Sequence, residues 1–235
     1  MFPIRDDQPR YSVPVVNYFV IALNLLVYFC FEVPAQMQGQ RAFDVLVLHF
    51  GLIPEHFTRA ISGSTHYTIP GTLLTILTSM FLHGDLFHIL GNLWFLWIFG
   101  DNIEDYLGHF PYLLFYLLCG IAAALTDIAL DPSSQLPTIG ASGAIAGVMG
   151  AYILLYPRAK VLTWVVFIFF WWIPSWFFLG YWFLIQFIAG YQMLAIQTAT
   201  AGGVAWWAHI GGFIWGALIA LVLQPVRRGP MVETA

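Results

Sequence analysis

Residues Pro137 to Tyr152 have the sequence "PTIGASGAIAGVMGAY". It consists largely of glycine and alanine, in a chain that is otherwise rich in bulky apolar and aromatic residues. In a hydrophobic helix, side chains this small allow a neighbouring helix to approach closely. A single hydroxyl group, that of Ser142, stands near the start of the run. The stretch therefore predicts a closely packed helix that begins with a serine.

The composition around this stretch is that of a membrane protein. Of the 235 residues, 60% are hydrophobic, 18% are aromatic and only 9% are charged, which lies outside the usual range of soluble domains. The formal net charge is -4 and no basic run is present, so nucleic acid is excluded as a partner. The two cysteines lack the spacing of a disulfide framework or zinc site. The N-terminus has no small-residue cleavage site, so we expect the first span to be retained.

Apolar windows long enough to cross a bilayer, about 20 residues each, define the predicted spans. Six windows run from Val13 to Phe31, Leu82 to Ile103, Phe110 to Leu130, Ser142 to Tyr156, Ser175 to Met193 and Trp206 to Leu223. A further apolar run, Val161 to Ile173, is short for a crossing and is followed by Pro174. We interpret it as a lead-in to the fifth span or as an interfacial segment. The predicted fold is all-α, with one six-span domain over residues 1–235.

Positive charges decide the predicted orientation in the membrane. With a cytoplasmic N-terminus, most basic residues lie inside, as expected for membrane proteins. The inside set is Arg5, Arg10, Arg158, Lys160, Arg227 and Arg228, and the outside set is Arg41 and Arg59. We therefore predict cytoplasmic tails at residues 1–12 and 224–235 and an external loop over about residues 32–80, in which the apolar patch "FGLIPEHF" lies in the membrane interface. A bacterial plasma membrane is the expected location.

Strongly polar side chains inside apolar windows are costly in hydrocarbon and mark functional sites by default. In the second window, "FLHGDLFHILGNLWFLW", His88 and Asn92 are four residues apart and share one helical face. Ser142 opens the fourth window, and His209 lies about one turn into the sixth, within "WWAHIGGFIWG". With His83, these groups come to a similar depth below the external surface. The sequence therefore predicts a single polar pocket.

Two stripes of small residues suggest how the polar groups meet. The stripes comprise Gly143, Gly147 and Gly150 in the fourth window and Gly212 and Gly216 in the sixth. If the two spans pack through these stripes, Ser142 and His209 come within hydrogen-bond reach near the external end of the contact. Each feature alone is more typical of helix packing without chemistry. Their coincidence at one depth favours a nucleophile beside its base.

Other hydrolytic chemistries fit the sequence less well. No HExxH motif occurs, and His83 and His88 are five residues apart, so they do not form the zinc-binding face of a helical metalloprotease. The only lysine, Lys160, lies at the opposite end of the fourth span from Ser142, which excludes a Ser/Lys dyad. "GASG" differs from the G-x-S-x-G nucleophile elbow because its second glycine follows the serine directly and no strand precedes it. No metal or organic cofactor is expected.

Taken together, the motifs "FLHGDLFHILGNLW", "GASGAIAGVMGAY" and "AHIGGFIWG" resemble those of the rhomboid intramembrane serine proteases. The resemblance covers nearly the whole chain, and the shorter segments "FGLIP" and "YPRAKV" also resemble family segments. The resemblance implies that Ser142 is the nucleophile and His209 the general base, as a dyad without a third carboxylate. It further implies that His88, Asn92 and the backbone N–H of Ser142 form the oxyanion hole.

The resemblance also implies a pocket-shaping role for residues around the dyad. His83 would contribute hydrogen bonds to the water-accessible pocket, and Gly140 and Gly143 would be structural residues of the same pocket. Some family members carry an aromatic residue four positions after the serine, where it stacks on the catalytic histidine, but this chain has Ala146. The external loop also lacks the Trp-Arg pair common in the family. No orienting group for His209 is therefore apparent in the sequence.

The function implied is an endopeptidase that cuts transmembrane segments of membrane proteins near the external face. The aromatic fifth span, "SWFFLGYWFLIQF", is equally well explained as a lateral gate for substrates or as a lipid-facing surface. One alternative is an inactive rhomboid-like protein that binds membrane clients. Another is a small channel or transporter, which would require polar residues toward the inner face. The apolar "WFLWIF" after Asn92 argues against a channel.

Overall fold

The computed structural model describes residues 1–166, 169–196 and 204–223, and these residues are predominantly helical. A π-helical turn at Tyr28–Glu32 joins the first two helices into one continuous stretch. The predicted tail at residues 224–235 lies outside the described residues. The helices are α1 (Val15–Val27), α2 (Val33–Gln38), α3 (Gln40–Phe50), α4 (Pro54–Ile61), α5 (Ile69–Ser79), α6 (Leu86–Leu107), α7 (His109–Leu130), α8 (Ser142–Leu155), α9 (Ser175–Ile196) and α10 (Trp206–Val222).

Each of the six apolar windows coincides with a helix. Within the described residues, two helical stretches are both long and apolar enough to cross a bilayer, Val15–Gln38 and His109–Leu130. Three further apolar helices are shorter, at Ile69–Ser79, Ser142–Leu155 and Trp206–Val222. The number of membrane crossings therefore stays a prediction from the sequence.

Helix α8 lies at the centre of the bundle. Every residue from Gly143 to Tyr152 is buried, and the helix packs most extensively against α10, then against α7, α6 and α9. A helix that is apolar on every side can be accommodated only where neighbours surround it. This position explains the small residues of the opening stretch, because a central helix with bulky side chains would hold its neighbours apart.

The two glycine stripes face one another where α8 meets α10. A Cβ atom on Gly212 would lie 2.0 Å from the carbonyl oxygen of Gly143, and one on Gly150 would lie 2.0 Å from that of Phe213. On the side facing α7, a Cβ atom on Gly147 would lie 2.4 Å from the Cβ atom of Cys119. Such separations are far below van der Waals contact. The backbones of α8 and α10 approach this closely because the side chains are absent.

A three-stranded antiparallel sheet departs from the all-α prediction. Its strands are β1 (Phe2–Asp6), β2 (Lys160–Val166) and β3 (Phe169–Pro174), in the order β1-β2-β3. The apolar run Val161 to Ile173, for which the sequence predicts a lead-in to the fifth span or an interfacial segment, contributes to strands β2 and β3. Its valine, threonine and aromatic residues favour strands, and the N-terminal segment supplies a third strand to pair with them. The sheet lies at the end of the bundle opposite Ser142.

The patch "FGLIPEHF", which the sequence predicts to lie in the membrane interface, packs in part against the rest of the protein. Leu52 and Ile53 are buried in the body of the protein, at 1% and 3% exposure. The backbone of Leu52 forms an antiparallel bridge with Thr138, just before the stretch that leads to Ser142. Much of the predicted external loop is helical, in α2 to α5. The segment therefore contacts the loop that leads into α8.

Polar contacts anchor the N-terminal segment to the end of the bundle that carries the sheet. Glu104 of α6 is fully buried and accepts hydrogen bonds from the backbone N–H groups of Val16 and Asn17, at 2.9 and 2.6 Å. These N–H groups belong to the first turn of α1 and have no partner within the helix. Glu104 therefore caps α1 from a neighbouring helix. On β1, Asp6 accepts a hydrogen bond from the hydroxyl of Tyr152 on α8.

Candidate active site

Ser142 and His209 are in contact. The Oγ atom of Ser142 lies 2.7 Å from the Nε2 atom of His209, at a distance typical of a hydrogen bond. Ser142 is the first residue of α8, and His209 lies one turn into α10. The close approach of the two helices through their glycines places both side chains at the same end of the contact. The arrangement has the geometry required of a nucleophile beside a base.

The pair opens onto a cavity of about 960 Å³. This volume suits a segment of polypeptide better than a single water molecule. Residues from five elements line the cavity. They include Val47 on α3, His88, Asn92 and Phe95 on α6, Ser142, Ile145 and Met149 on α8, Trp182 and Gln186 on α9, and Trp206 and His209 on α10. The cavity wall is therefore shared among five helices, two of which carry Ser142 and His209.

The backbone before Ser142 has a conformation that favours glycine. Gly140 has a φ angle of 125°, and its N–H donates to the carbonyl of Ser79 at 2.9 Å. A Cβ atom at this position would lie 2.8 Å from Nε2 of His88 and 3.5 Å from Oγ of Ser142. The N–H groups of the first turn of α8, beginning with Ser142, have no intrahelical partner and carry the positive end of the helix dipole. The site thus presents backbone donors beside the hydroxyl.

His88 and Asn92 lie on the same face of α6 and both line the cavity. The Nδ1 atom of His88 accepts a hydrogen bond from the backbone N–H of Gly84 at 3.2 Å. The single proton of the neutral imidazole is therefore on Nε2, the atom that faces Gly140. The amide nitrogen of Asn92 is buried and has no acceptor among the described residues. Both side chains can thus donate hydrogen bonds to a group that enters the cavity.

His83 lies behind His88 rather than in the cavity wall. It is fully buried, and its ring meets that of His88 edge to face at 5.1 Å. Its backbone N–H donates to the carboxylate of Glu32 at 2.9 Å, and Gln36 donates to the carbonyl of Gly84 at 3.1 Å. These contacts hold the loop at Gly84, whose backbone N–H donates to Nδ1 of His88 and so leaves the ring proton on Nε2. Glu32 and Gln36 were not singled out from the sequence.

Gln186 of α9 is a further site residue that sequence reasoning missed. Its Oε1 atom lies 2.7 Å from Nδ1 of His209, on the side of the ring opposite Ser142. The ring of Trp182, one turn earlier on α9, lies 5.9 Å from the imidazole at a tilt of 36°. An amide within the apolar run "SWFFLGYWFLIQF" was the available signal, since polar groups inside apolar windows mark functional sites. These two residues contact the imidazole of His209, for which the sequence indicates no orienting group.

The arrangement can carry out acyl transfer by general base catalysis. A hydroxyl and an imidazole nitrogen are in contact, and donors from α6 and α8 surround the same cavity. Among the described ranges 1–166, 169–196 and 204–223, no group of three His, Cys, Asp or Glu side chains is arranged to hold a metal ion. The residues brought together therefore fit a serine hydrolase.

Comparison with known proteins assigns the family. A family model for the rhomboid domain matches residues 70–226. The chain is similar to Rhomboid protein 1, mitochondrial, of Saccharomyces cerevisiae, with 31% identity over 150 residues that cover 62% of this chain and 40% of that protein. It is also similar to Rhomboid protease GluP of Bacillus subtilis, with 32% identity over 151 residues that cover 63% of this chain and 26% of that protein.

A third relative is Presenilin-associated rhomboid-like protein A, mitochondrial, of Danio rerio, which is 28% identical over 206 residues, or 84% of this chain and 45% of that protein. The chain thus spans less than half the length of these relatives. Two of the three are mitochondrial by name and one is from Bacillus subtilis, so the relatives do not single out a bacterial plasma membrane. With the family model matching well over half of the sequence, the chain belongs to the rhomboid family of integral membrane proteins.

Proposed function

We propose that this protein is a serine endopeptidase that cleaves transmembrane segments of other membrane proteins. The observation that carries the proposal is the 2.7 Å contact between Ser142 Oγ and His209 Nε2 at the wall of a cavity large enough for a polypeptide. Membership of the rhomboid family, and the printed name of the protease GluP, support a proteolytic reaction. The substrate class follows from a site built among apolar helices.

In the first half of the reaction, Nε2 of His209 takes the proton from the hydroxyl of Ser142 while Oγ attacks the carbonyl carbon of the scissile bond. The carbonyl becomes a tetrahedral oxyanion. The N–H of Ser142, Nε2–H of His88 and the amide of Asn92 lie around the cavity where this charge develops. His209 then returns the proton to the leaving amine as the carbon–nitrogen bond breaks, and the acyl group stays on Ser142.

In the second half, water enters the cavity and attacks the acyl ester. His209 takes a proton from that water, a second oxyanion forms in the same set of donors, and the proton passes to Oγ as the ester breaks. The balance is one peptide bond hydrolysed for one water consumed. This step requires solvent at the dyad, and the open cavity at this end of the bundle provides a route for it.

The membrane places a condition on the substrate. A helix in hydrocarbon keeps its carbonyl groups in internal hydrogen bonds, and exposing them is costly. We therefore expect cleavage in a segment that unwinds easily, with glycine, proline or polar residues near its outer end and a small side chain before the scissile bond. The accompanying topology is six spans with both termini in the cytoplasm, so that Ser142 lies toward the external face.

The test is cleavage of a transmembrane substrate by purified protein in proteoliposomes. Ser142→Ala and His209→Ala should each abolish cleavage, and a fluorophosphonate should label the wild type but not Ser142→Ala. Ser62→Ala and His66→Ala are matched controls, because both residues are exposed and neither lines the cavity. Persistent cleavage in either dyad variant would exclude the proposed mechanism.

An inactive rhomboid-like protein that binds membrane clients is the main alternative. It predicts that client helices bind in the cavity with no cleavage and no labelling of Ser142. The retained contact between Ser142 and His209 favours the protease, since a binding protein has no need of a hydroxyl beside an imidazole acceptor. The labelling experiment separates the two functions without knowledge of the natural substrate.

A further inference from the structure

The imidazole of His209 is held from both sides by hydrogen bonds. Nε2 lies 2.7 Å from Oγ of Ser142, and Nδ1 lies 2.7 Å from Oε1 of Gln186. Gln186 is only 7% exposed, so its amide is part of the wall of the site and is not a solvent-facing group. Burying an amide in an apolar helix is costly unless it is hydrogen-bonded, and the imidazole supplies the partner.

The identity of the contacting atom determines where the proton of His209 lies. An amide oxygen can only accept a hydrogen bond, so the Nδ1 atom that it contacts must carry the proton. A neutral imidazole has one N–H group, and Nε2 is therefore left with a lone pair directed at Ser142. This is the tautomer that can take the serine proton. The opposite tautomer would present an N–H group to the hydroxyl and could not act as its base.

We infer that Gln186 is the positioning residue of His209, which fixes both the tautomer and the orientation of the ring. It takes the place that a carboxylate occupies in a Ser-His-Asp triad, without introducing a charge into the membrane. When His209 becomes protonated during acylation, both ring nitrogens donate, and the same Oε1 atom still accepts from Nδ1. The ring therefore needs no rearrangement between the two halves of the reaction.

Trp182 supports the same assignment from a neighbouring turn of α9. Its ring contacts the imidazole at a centroid distance of 5.9 Å and restricts tilting of the ring out of the hydrogen-bonded plane. Gln186 and Trp182 are four residues apart, so both project from one face of α9 toward His209. Positioning of the base thus depends on α9, whereas the nucleophile is carried by α8.

The role of Gln186 in proteolysis rests on the proposed function, and kinetics test it in that setting. Gln186→Met keeps the length of the side chain and removes the acceptor. We expect kcat for a transmembrane substrate to fall about 100-fold with KM changed by less than about two-fold, because orientation of the base acts on the chemical step. Gln186→Glu restores an acceptor oxygen and should recover part of kcat. Gln192→Met is the matched control, since Gln192 is exposed on the same helix.

The tautomer is measured independently of any activity. In protein labelled with ¹⁵N-histidine, NMR of the wild type should report a proton on Nδ1 of His209, with the signal assigned by its loss in His209→Gln. Gln186→Met should shift His209 toward the other tautomer. A wild-type proton on Nε2, or an unchanged kcat in folded Gln186→Met, would overturn the inference. If the wild type neither cleaves nor labels, the proposed function fails while this measurement still decides the role of Gln186.

Discussion

Gly216 of α10 lies directly against the backbone of Gly147 on α8. A Cβ atom on Gly216 would stand 2.1 Å from the carbonyl oxygen of Gly147 and 2.3 Å from its Cα atom. The neighbour is backbone, which cannot rotate away as a flexible side chain would. The separation of α8 and α10 is therefore set by the absence of side chains at these two positions, and the contact between Ser142 and His209 depends on that separation.

Gly216→Ala should accordingly force the two helices apart or prevent stable folding. We expect a lower thermal midpoint in detergent and, in any folded fraction, a loss of serine labelling because His209 moves away from Ser142. Gly180→Ala is the matched control, because a Cβ atom on Gly180 of α9 meets nothing within 4 Å. This change should be neutral or stabilise by up to about 1 kcal/mol through helix propensity. Equal midpoints for the two variants would contradict the packing argument.

Asn92 provides a test of the proposed oxyanion hole that is separate from the dyad. Its amide nitrogen is buried, lines the cavity and has no acceptor among the described residues, so it is available to a charge formed in the reaction. Asn92→Ala should lower kcat by about 100- to 1,000-fold with little change in KM, because the lost bond stabilises the transition state more than the bound substrate. Steady-state kinetics on a transmembrane substrate give the answer. A kcat within about two-fold of the wild type would remove Asn92 from the oxyanion hole.

The helices and the juxtaposition of the polar groups could be anticipated because membrane sequences carry strong local signals. Apolar windows mark helices whatever their neighbours are, and glycines spaced four apart mark the face of closest approach. Ser142 and His209 each stand beside such a stripe. If the two stripes pack together, the direction of each helix places both side chains at a similar depth below the external surface.

The sheet and the orientation of His209 could not be anticipated in the same way. The β2–β3 hairpin depends on pairing with a strand more than 150 residues earlier in the chain, as in the pair Pro3 and Thr163. A hydrophobic run of this length is equally compatible with a helix and with a strand. Gln186 lies on α9, and the packing of the whole bundle determines which side of α9 is turned toward His209. The amide marks Gln186 as a candidate site residue, but no local pattern indicates which group of the site it contacts.

Glu104 offers a test of how the N-terminal helix is held. It is fully buried and accepts the N–H groups of Val16 and Asn17, and it also contacts Nδ1 of His109. Glu104→Ala leaves these donors without a partner, so we expect a loss of about 2 kcal/mol or more in the free energy of unfolding. Unfolding in mixed detergent micelles measures the change.

Glu55→Ala is the control for the change at Glu104. Glu55 forms a surface ion pair with Arg59 at 2.7 Å, and Arg59 is largely exposed. Exposed pairs of this kind contribute little, so the expected loss is below about 1 kcal/mol. If the two variants were destabilised equally, capping of α1 by Glu104 would not be a significant source of stability.

Asp6 on β1 makes stability depend on pH near neutrality. Burial raises the pKa of its carboxyl from 3.8 to about 7, the hydrogen bond from Tyr152 lowers it, and the nearby charges of Asp101 and Asp7 raise it further. The folded state therefore binds this proton more tightly than the unfolded state does. The resulting stabilisation is fully present below about pH 4 and is lost as the pH rises through about 7.

Asp6→Asn tests this dependence, because asparagine keeps an acceptor for Tyr152 and cannot ionise. The thermal midpoint of the wild type in detergent should fall between pH 5 and pH 8 by more than that of Asp6→Asn, which should be the more stable of the two at pH 8. Asp44→Asn removes a carboxylate from an exposed position and should retain the pH dependence of the wild type. If Asp6→Asn and the wild type lose stability in parallel over this range, the proton on Asp6 is not the source of the pH dependence.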